Sequence, residues 1–487
     1  MPNAGLSSGI RWSSLSVIGR EVSRSIFTIV LARLIGPDDF GIVAQATVYI
    51  GIVAILLDQG FSSALIQREQ VEPDMPGAVV TINLAVGGAL TALTIAIAPL
   101  WASFMRTPEL MLVLAVLSSS LLFRSMGLAA RAMLMRGMEF RKIAISDIAA
   151  TMSGGLLGVL VAVGGGTYWS VVVQILTTDI VYLLVLQAFG AGYRPNLHLR
   201  LLRQIAGFSI RAFAAGLLTS VSHNVDNLLV GRFHGPQALA FYAMAYKLLL
   251  LPVQLACVSV GYVLFPRFAR LANDVATLGV EMTRATRSLA LLSLPTMTIV
   301  SAAAPQIVAV MFGPDWNPAV PIIQVLAIAG AVQAVYQPST LPLVLGLGHA
   351  KLNLRYAWLT TTVTIVGIVG GLPYGAVGVA VGYCAATVLL IPVEWLIRRH
   401  LVMLTIRGQV ASLMPAVHIT VWAVAGYLSI AVLIPGHELA VLVMGTLVAV
   451  CMAVAVLRIA HRSLLAELLY MTKRVAGVGD PQQNVAS

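Results

Sequence analysis

Charged residues are scarce in this sequence. Only 10% of its 487 residues are Asp, Glu, Lys or Arg, whereas soluble domains contain about 25%. The three cysteines, Cys257, Cys384 and Cys451, are isolated within apolar runs, which excludes a disulfide framework and the usual metal-binding spacings. The sequence contains no glycine-rich nucleotide loop and no catalytic-triad pattern. We therefore predict no cofactor, no metal, no enzyme activity and no ATP-driven motor within the chain.

Long apolar runs dominate what remains. Hydrophobic residues make up 59% of the chain, and its mean hydropathy is +0.92. A bilayer core of roughly 30 Å needs about 20 apolar residues per helix. The sequence therefore predicts an all-α polytopic membrane protein with about fourteen transmembrane helices. The predicted spans are residues 8–33, 41–66, 77–101, 109–130, 143–163, 167–189, 206–230, 238–264, 286–311, 320–344, 353–371, 376–397, 411–434 and 438–458.

Positive charge is distributed unevenly among the connections between these spans. When the connections are numbered alternately, most of the 30 Lys and Arg residues fall on one side, and only Arg33, Arg106 and Arg232 fall on the other. Polytopic membrane proteins keep Lys and Arg on the cytosolic side. We therefore predict a multi-pass protein with both termini in the cytosol. The net charge of +11 then faces anionic lipid headgroups, so we predict membrane lipids and no nucleic acid as partners.

An internal repeat organises the chain. Residues 32–37 (ARLIGP) resemble residues 231–236 (GRFHGP) at an offset of 199 residues. An offset of six spans preserves orientation, so the halves are predicted to be parallel repeats with a substrate site near the midplane where they meet. The predicted division is a six-helix lobe over 1–200, a second six-helix lobe over 201–400, two additional transmembrane helices over 401–460, and an amphipathic and disordered cytosolic tail over 461–487.

Ionisable residues inside the spans are the functional candidates, because each costs at least about 2.5–3.5 kcal/mol to insert. Arg20 and Arg24 lie four residues apart on one helix face. We predict that this face lines a cavity and binds phosphate or carboxylate through bidentate hydrogen bonds. Local neutralisation, with Glu21 pairing with Arg24, is the alternative. The predicted residues are Arg20, Arg24, Arg211 and Lys247 for substrate binding, and Glu21, Asp58, His223 and Asp226 for ion coupling or gating.

The seventh and eighth spans carry a second hypothesis. Asp226 and Lys247 lie at similar depth on antiparallel spans, so we predict an ion pair that is either permanent or opens during transport. His223, one turn before Asp226, is a candidate either for a proton relay or for a hydrogen-bonded cavity residue. Pro252 is predicted to form a hinge or a static bend, because proline removes a backbone donor.

Four further residues are predicted to have structural roles. Asp147 and Glu394 lie near cytosolic span ends, where their side chains can reach water. Asp179 has no obvious partner and is predicted to be a packing residue. Trp316 is predicted to anchor an outer turn at the membrane interface.

Several of these segments resemble the polysaccharide transporter family of Wzx-like flippases, within the multidrug/oligosaccharidyl-lipid/polysaccharide exporter superfamily. The resemblance is carried by ARLIGPDDFG at residues 32–41, NVDNLLVGR at 224–232, FPR at 265–267 and FGPDW at 312–316. It implies two six-helix lobes and two additional C-terminal helices in a bacterial cytoplasmic (inner) membrane. It further implies that a polyprenyl-diphosphate-linked oligosaccharide is flipped to the outer leaflet, for exopolysaccharide or O-antigen-type export, by alternating access through a cationic cavity.

The resemblance leaves partners and alternatives open. A proton or sodium gradient, or the membrane potential, would power transport, and a polysaccharide polymerase and co-polymerase are possible partners. A peptidoglycan lipid II flippase and a cation-coupled multidrug exporter are the alternatives within the superfamily. The exporter is disfavoured because the candidate cavity is basic. A membrane-embedded glycosyltransferase or ligase is disfavoured because the predicted outer loops are too short for a catalytic domain.

Overall fold

The computed structural model of the chain describes residues 3–58, 62, 65–66, 70–190, 192–198, 224–248, 264, 267–271, 274–462 and 464, without the side chains of 3–18, 58 and 350. The regular elements of these ranges are helices. The chain forms two compact units, unit 1 over Met1–Ala243 and unit 2 over Met244–Ser487. The division at 200, 400 and 460 stays a prediction.

Unit 1 is built from six helices and the first part of a seventh. They are α1 Asn3–Asp58, α2 Met75–Met105, α3 Leu110–Leu117, α4 Ser119–Arg136, α5 Phe140–Val163, α6 Trp169–Ala188 and α7, whose described part is 224–248. Long apolar runs explain the lengths of these helices, and residues with special backbone conformations mark their ends. Pro76 occupies the first turn of α2, and Arg106 closes that helix in a left-handed conformation.

Unit 2 continues from the end of α7. Its helices are α8 Val275–Ala302, α9 Ala304–Met311, α10 Ala319–Gly346, α11 Ala350–Gly371, α12 Gly375–Leu389, α13 Ile391–Val402, α14 Ile406–Leu433 and α15 Glu438–Ala460. Asp274 caps α8 by accepting a hydrogen bond from the Thr277 amide at 3.0 Å. Hydrogen bonds from Thr277 lower the pKa of Asp274.

The lengths and the apolar composition of the helices confirm the prediction of a multi-pass membrane protein. Within the described residues, nine helices are long and apolar enough to cross a membrane, or ten if the bent pair α8–α9 is one span. That pair, predicted as a single span, bends by 65°. The count of fourteen and the arrangement of two six-helix lobes stay predictions.

Both copies of the repeated turn contain a glycine with positive φ, and the second copy contacts residues that follow the first copy inside unit 1. Gly36 has φ 76° and Gly235 has φ 85°, and a proline follows each. Only glycine adopts this region readily, so each glycine breaks its helix where the proline begins the next. The Gln45 amide group donates to the Gly231 carbonyl at 3.1 Å. Gly41 lies against the Pro236 carbonyl, where a Cβ atom would overlap it.

Replacing Gly41 with alanine is expected to destabilise unit 1 by about 1–3 kcal/mol, because the added methyl group forces the helix segment of Gly41 away from the Pro236 carbonyl. Thermal unfolding of the purified protein measures the effect. Gly51→Ala is the matched control, since a Cβ atom there meets nothing within 4 Å. Equal melting temperatures for the two variants would contradict this close contact.

A buried arginine organises the centre of unit 2. Arg398 on α13 is only 1% exposed. Its guanidinium group donates to Ser339 at 2.8 Å and Thr340 at 2.7 Å on α10, and to Thr286 at 3.1 Å on α8. It also lies 4.6 Å from the ring centroid of Tyr336. One side chain therefore joins three helices.

Two of the predicted structural roles in unit 2 are wrong. Glu394, one turn before Arg398, is 6% exposed and accepts a hydrogen bond from the Tyr356 hydroxyl, so it does not reach water at a helix end. The hydrogen-bond partner of Glu394 lies on α11, and the sequence alone does not show that α11 packs beside this residue. Trp316 is 1% exposed and packs on Phe312 with ring centroids 5.5 Å apart. Trp316 is therefore packed inside the protein and does not lie on its lipid-facing surface.

Candidate functional site

Four arginines of unit 1 form the candidate site, and we call them the arginine cluster: Arg20, Arg24, Arg124 and Arg131. Arg20 and Arg24 are one turn apart on α1, and Arg124 and Arg131 are two turns apart on α4, so each pair shares a helix face. Two acidic residues, Asp147 on α5 and Asp179 on α6, lie beside these arginines.

Asp147 on α5 connects the first helix to the fourth. Its carboxylate, on a residue 6% exposed, lies 3.3 Å from the Arg20 guanidinium group and 3.4 Å from that of Arg131. Arg131 also donates to the Tyr182 hydroxyl on α6 at 2.7 Å. Asp147 is therefore a buried bridge, and the prediction that it reaches water at a span end is wrong. Its partners are distant in sequence, so sequence spacing does not reveal them.

Glu21 pairs with a different arginine from the one predicted. Its carboxylate lies 3.2 Å from the Nε atom of Arg20, and Arg20 thus contacts two acids. The alternative in which Glu21 neutralises Arg24 is not what the structure shows. Arg24 is exposed and is therefore better placed than Arg20 to contact a ligand.

Asp179 on α6 holds the other end of the cluster. It accepts a hydrogen bond from the Ser120 hydroxyl and lies 3.0 Å from the Arg124 Nε atom. Arg24 lies near enough to interact with it electrostatically. Asp179 therefore has partners, in contrast to its predicted role as a packing residue.

The charges of the cluster do not cancel. Four guanidinium groups face three carboxylates, those of Glu21, Asp147 and Asp179. The arginine side chains also keep accessible surface: 29% for Arg20, 42% for Arg124 and 36% for Arg131. Contact with lipid would cost each charge several kcal/mol. The exposed guanidinium surface is therefore suited to water and to an anionic ligand.

Arg124 and Arg131 are the functional candidates that sequence reasoning missed. It counted both among the cytosolic positive charges, with Arg124 in the last turns of the fourth predicted span, 109–130, and Arg131 just beyond its end. The structure extends α4 to Arg136. The spacing of Ser120, Arg124 and Arg131 by four and seven residues follows one helix face, and this signal could have identified them.

The other predicted site residues are divided between described and undescribed parts of the chain. Asp226 on α7 is 3% exposed and accepts hydrogen bonds from the Tyr242 hydroxyl at 3.1 Å and the Asn227 amide at 2.8 Å. Lys247 is exposed on the same helix. Their ion pair stays a prediction, because the two residues belong to different units.

Four members of the predicted set cannot be compared with the fold. Arg211, His223 and Pro252 lie outside the described residues, and Asp58 ends α1 with a side chain that is not described. Among the residues that are described, no group of three or more His, Cys, Asp or Glu side chains could hold a metal ion.

The sequence is similar to proteins of polysaccharide biosynthesis. The family described as "Polysaccharide biosynthesis protein" matches residues 30–321. The lipopolysaccharide biosynthesis protein WzxC of Escherichia coli K12 is 24% identical over 444 residues, which cover 90% of this chain and 88% of the relative. The succinoglycan biosynthesis transport protein ExoT of Rhizobium meliloti is 26% identical over 372 residues, which cover 76% and 74%.

The fold is similar to those of solved membrane transporters. The inward closed conformation of the lipid II flippase MurJ has a TM-score of 0.73 at 14% identity and covers 93% of this chain and 99% of its own. An inward-facing multidrug transporter of the MATE family has a TM-score of 0.62 at 15% identity and covers 78% and 94%. At these identities the likeness concerns the fold.

Proposed function

The chain belongs to the polysaccharide transporter family of Wzx-like proteins, and on this premise we propose that it flips polyprenyl-diphosphate-linked oligosaccharides from the cytosolic to the outer leaflet of a bacterial inner membrane. The product would supply exopolysaccharide or O-antigen-type polysaccharide export. Both termini are cytosolic in this proposal, in keeping with the Lys and Arg asymmetry.

The arginine cluster is the observation that carries the proposal. A diphosphate presents several anionic oxygens, and each guanidinium group offers two parallel donors to such a group. At an effective dielectric constant of about 20, two unit charges 4 Å apart attract each other by roughly 4 kcal/mol before desolvation is subtracted. A cluster with one more cation than acids favours the binding of such an anion.

Binding would proceed by exchange of counter-ions. In the ligand-free cluster, Asp179 occupies Arg124, and Asp147 is shared by Arg20 and Arg131. A diphosphate entering beside the exposed Arg24 would compete with Asp179 for the Arg124 guanidinium group and would neutralise the excess positive charge of the cluster. Asp147 would keep Arg20 and Arg131 in position throughout.

The alternatives are weaker on the same observations. A cation-coupled multidrug exporter would need an acidic cavity for cationic drugs, and this cluster is basic. Lipid II is also a polyprenyl diphosphate, so the cluster fits it equally, but the curated relatives are named for polysaccharides, which favours a polysaccharide precursor. Coupling to protons or sodium, and association with a polymerase and co-polymerase, remain parts of the proposal.

Deletion of the gene tests the function. Export of the polysaccharide is expected to stop, while complete lipid-linked repeat units accumulate in the membrane and are detected by extraction and mass spectrometry. Truncated or missing glycans on the lipid would instead indicate an enzyme of glycan assembly, and unchanged export would contradict the proposal.

A further inference from the structure

Three uncharged polar side chains meet in unit 2, each from a different helix. They are Tyr246 of α7, Gln333 of α10 and Tyr383 of α12. The Gln333 amide group donates to the Tyr383 hydroxyl at 2.6 Å, and the hydroxyls of Tyr246 and Tyr383 lie 3.5 Å apart. The two rings are edge to face with centroids 6.0 Å apart. We call these three residues the tyrosine–glutamine cluster.

The cluster borders a polar surface. Tyr383 is 8% exposed, but Tyr246 and Gln333 are half-buried. Gln337, one turn beyond Gln333 on the same face of α10, is exposed. Since α10 is long and apolar enough to cross the membrane, an exposed amide on it is unfavourable against lipid. The stretch of this face from Gln333 to Gln337 therefore suits contact with water or with a polar ligand.

The chemistry of the cluster differs from that of the arginine cluster. It offers two phenol rings, two hydroxyls that donate or accept, and an amide with both donors and an acceptor, all without charge. Ligand sites of this kind combine aromatic surface with a few oriented polar groups. A sugar ring matches them, because its C–H faces pack on aromatic rings and its hydroxyls exchange hydrogen bonds with tyrosine and glutamine.

We propose that the tyrosine–glutamine cluster binds the glycan of the substrate and contributes to the choice among glycans. The inference rests on the proposed function and deepens it. The proposed substrate has a charged diphosphate and a hydroxyl-rich glycan; unit 1 carries a cluster suited to the first, and unit 2 carries one suited to the second. The glycan would take the place of the Tyr246–Tyr383 contact and recruit the Gln333 amide group.

Binding of two probes by the full-length protein in lipid nanodiscs tests the inference. One probe is radiolabelled farnesyl diphosphate, and the other is glucosyl farnesyl diphosphate, which carries one sugar. The wild type is expected to bind the sugar-bearing probe about tenfold more tightly, as one or two additional hydrogen bonds would give. Tyr246→Leu and Gln333→Met are expected to remove this preference and leave the affinity for farnesyl diphosphate unchanged.

Matched variants separate the possible results. Tyr427→Phe removes a separate tyrosine–glutamine contact of unit 2, in which the Tyr427 hydroxyl donates to Gln306 at 3.1 Å, and should alter neither affinity. Arg24→Ala should weaken both probes alike. Unchanged binding of the bare probe also shows that a variant is folded.

Two results would overturn the inference while the proposed function stands: equal affinity of the wild type for both probes, or retention of the sugar preference in both cluster variants. Weaker binding of both probes by the Tyr246 and Gln333 variants would also count against a glycan site. Failure of both probes to bind the wild type would instead remove the proposed function, and the glycan inference with it.

Discussion

The variant in which Arg24 and Arg124 are both replaced by alanine is expected to lose polysaccharide export while it still accumulates in the membrane. These two arginines are the most exposed of the arginine cluster, and the Arg124 Nε atom lies 3.0 Å from the Asp179 carboxylate. The expected loss is at least about 100-fold, because two charge-assisted contacts of about 1.5–3 kcal/mol each are removed. Complementation of a deletion strain, with membrane abundance checked in parallel, measures it.

Companion variants separate lost binding from lost folding. Asp179→Asn added to the double variant removes the carboxylate that the alanines leave without its arginines, so the protein should fold and remain inactive. Replacing Arg24 with lysine instead of alanine should recover only part of the activity, because lysine keeps the positive charge but lacks the two parallel donors of a guanidinium group. Arg194→Ala, at an exposed arginine of the segment 192–198, is the matched control and should export normally. Normal export by the double variant would exclude these arginines from the substrate path.

Replacing Arg398 with methionine is expected to cause the largest loss of stability. The substitution removes the donor that joins α8, α10 and α13, and leaves Glu394 buried without its neighbouring cation. Hydrogen bonds from a charged donor contribute about 1.5–3 kcal/mol each, so losing several of them is expected to cost several kcal/mol. The thermal unfolding temperature of the detergent-purified protein should fall accordingly.

The adjacent residue supplies the control. Arg399→Met changes the same charge at an exposed position of the same helix and should leave the unfolding temperature nearly unchanged. Glu394→Gln combined with Arg398→Met should recover part of the stability, because no buried charge is then left alone. An Arg398→Met protein as stable as the Arg399→Met protein would show that the buried arginine does not stabilise the packing of these helices.

Helix positions were predictable because the bilayer fixes the length of each apolar run. The predicted spans 77–101 and 438–458 correspond to helices Met75–Met105 and Glu438–Ala460. The repeated turns at Gly36 and Gly235 were also visible, since a glycine–proline pair is a local signal with a definite backbone consequence.

Side-chain partners were not predictable in the same way, because they depend on how each helix is rotated against its neighbours. Asp147 meets Arg20, 127 residues away, and Arg131, 16 residues away. Neither of these sequence separations predicts a contact. Helix spacing showed that Arg20 and Arg24 share a helix face. It did not show that Asp147 and Glu21 both pair with Arg20, or that Arg24 is exposed.

Arg124 and Arg131 show how a correct global rule can mislead locally. The alternation of charge counted both among the cytosolic positive charges, with Arg124 in the last turns of a predicted span and Arg131 just beyond it, although α4 extends through both positions. A long helix keeps arginines near its end inside the protein when acids from neighbouring helices meet them, as Asp179 and Asp147 do here.

The most direct test of the account is movement of the substrate itself. The purified protein is reconstituted into vesicles containing a fluorescently labelled polyprenyl-diphosphate oligosaccharide, under a membrane potential set with valinomycin, and dithionite quenches the label that reaches the outer surface. The account predicts that wild-type protein exposes the pool protected in protein-free vesicles, and that the Arg24→Ala/Arg124→Ala/Asp179→Asn variant leaves it protected. A pool that stays protected with folded wild-type protein would contradict the account.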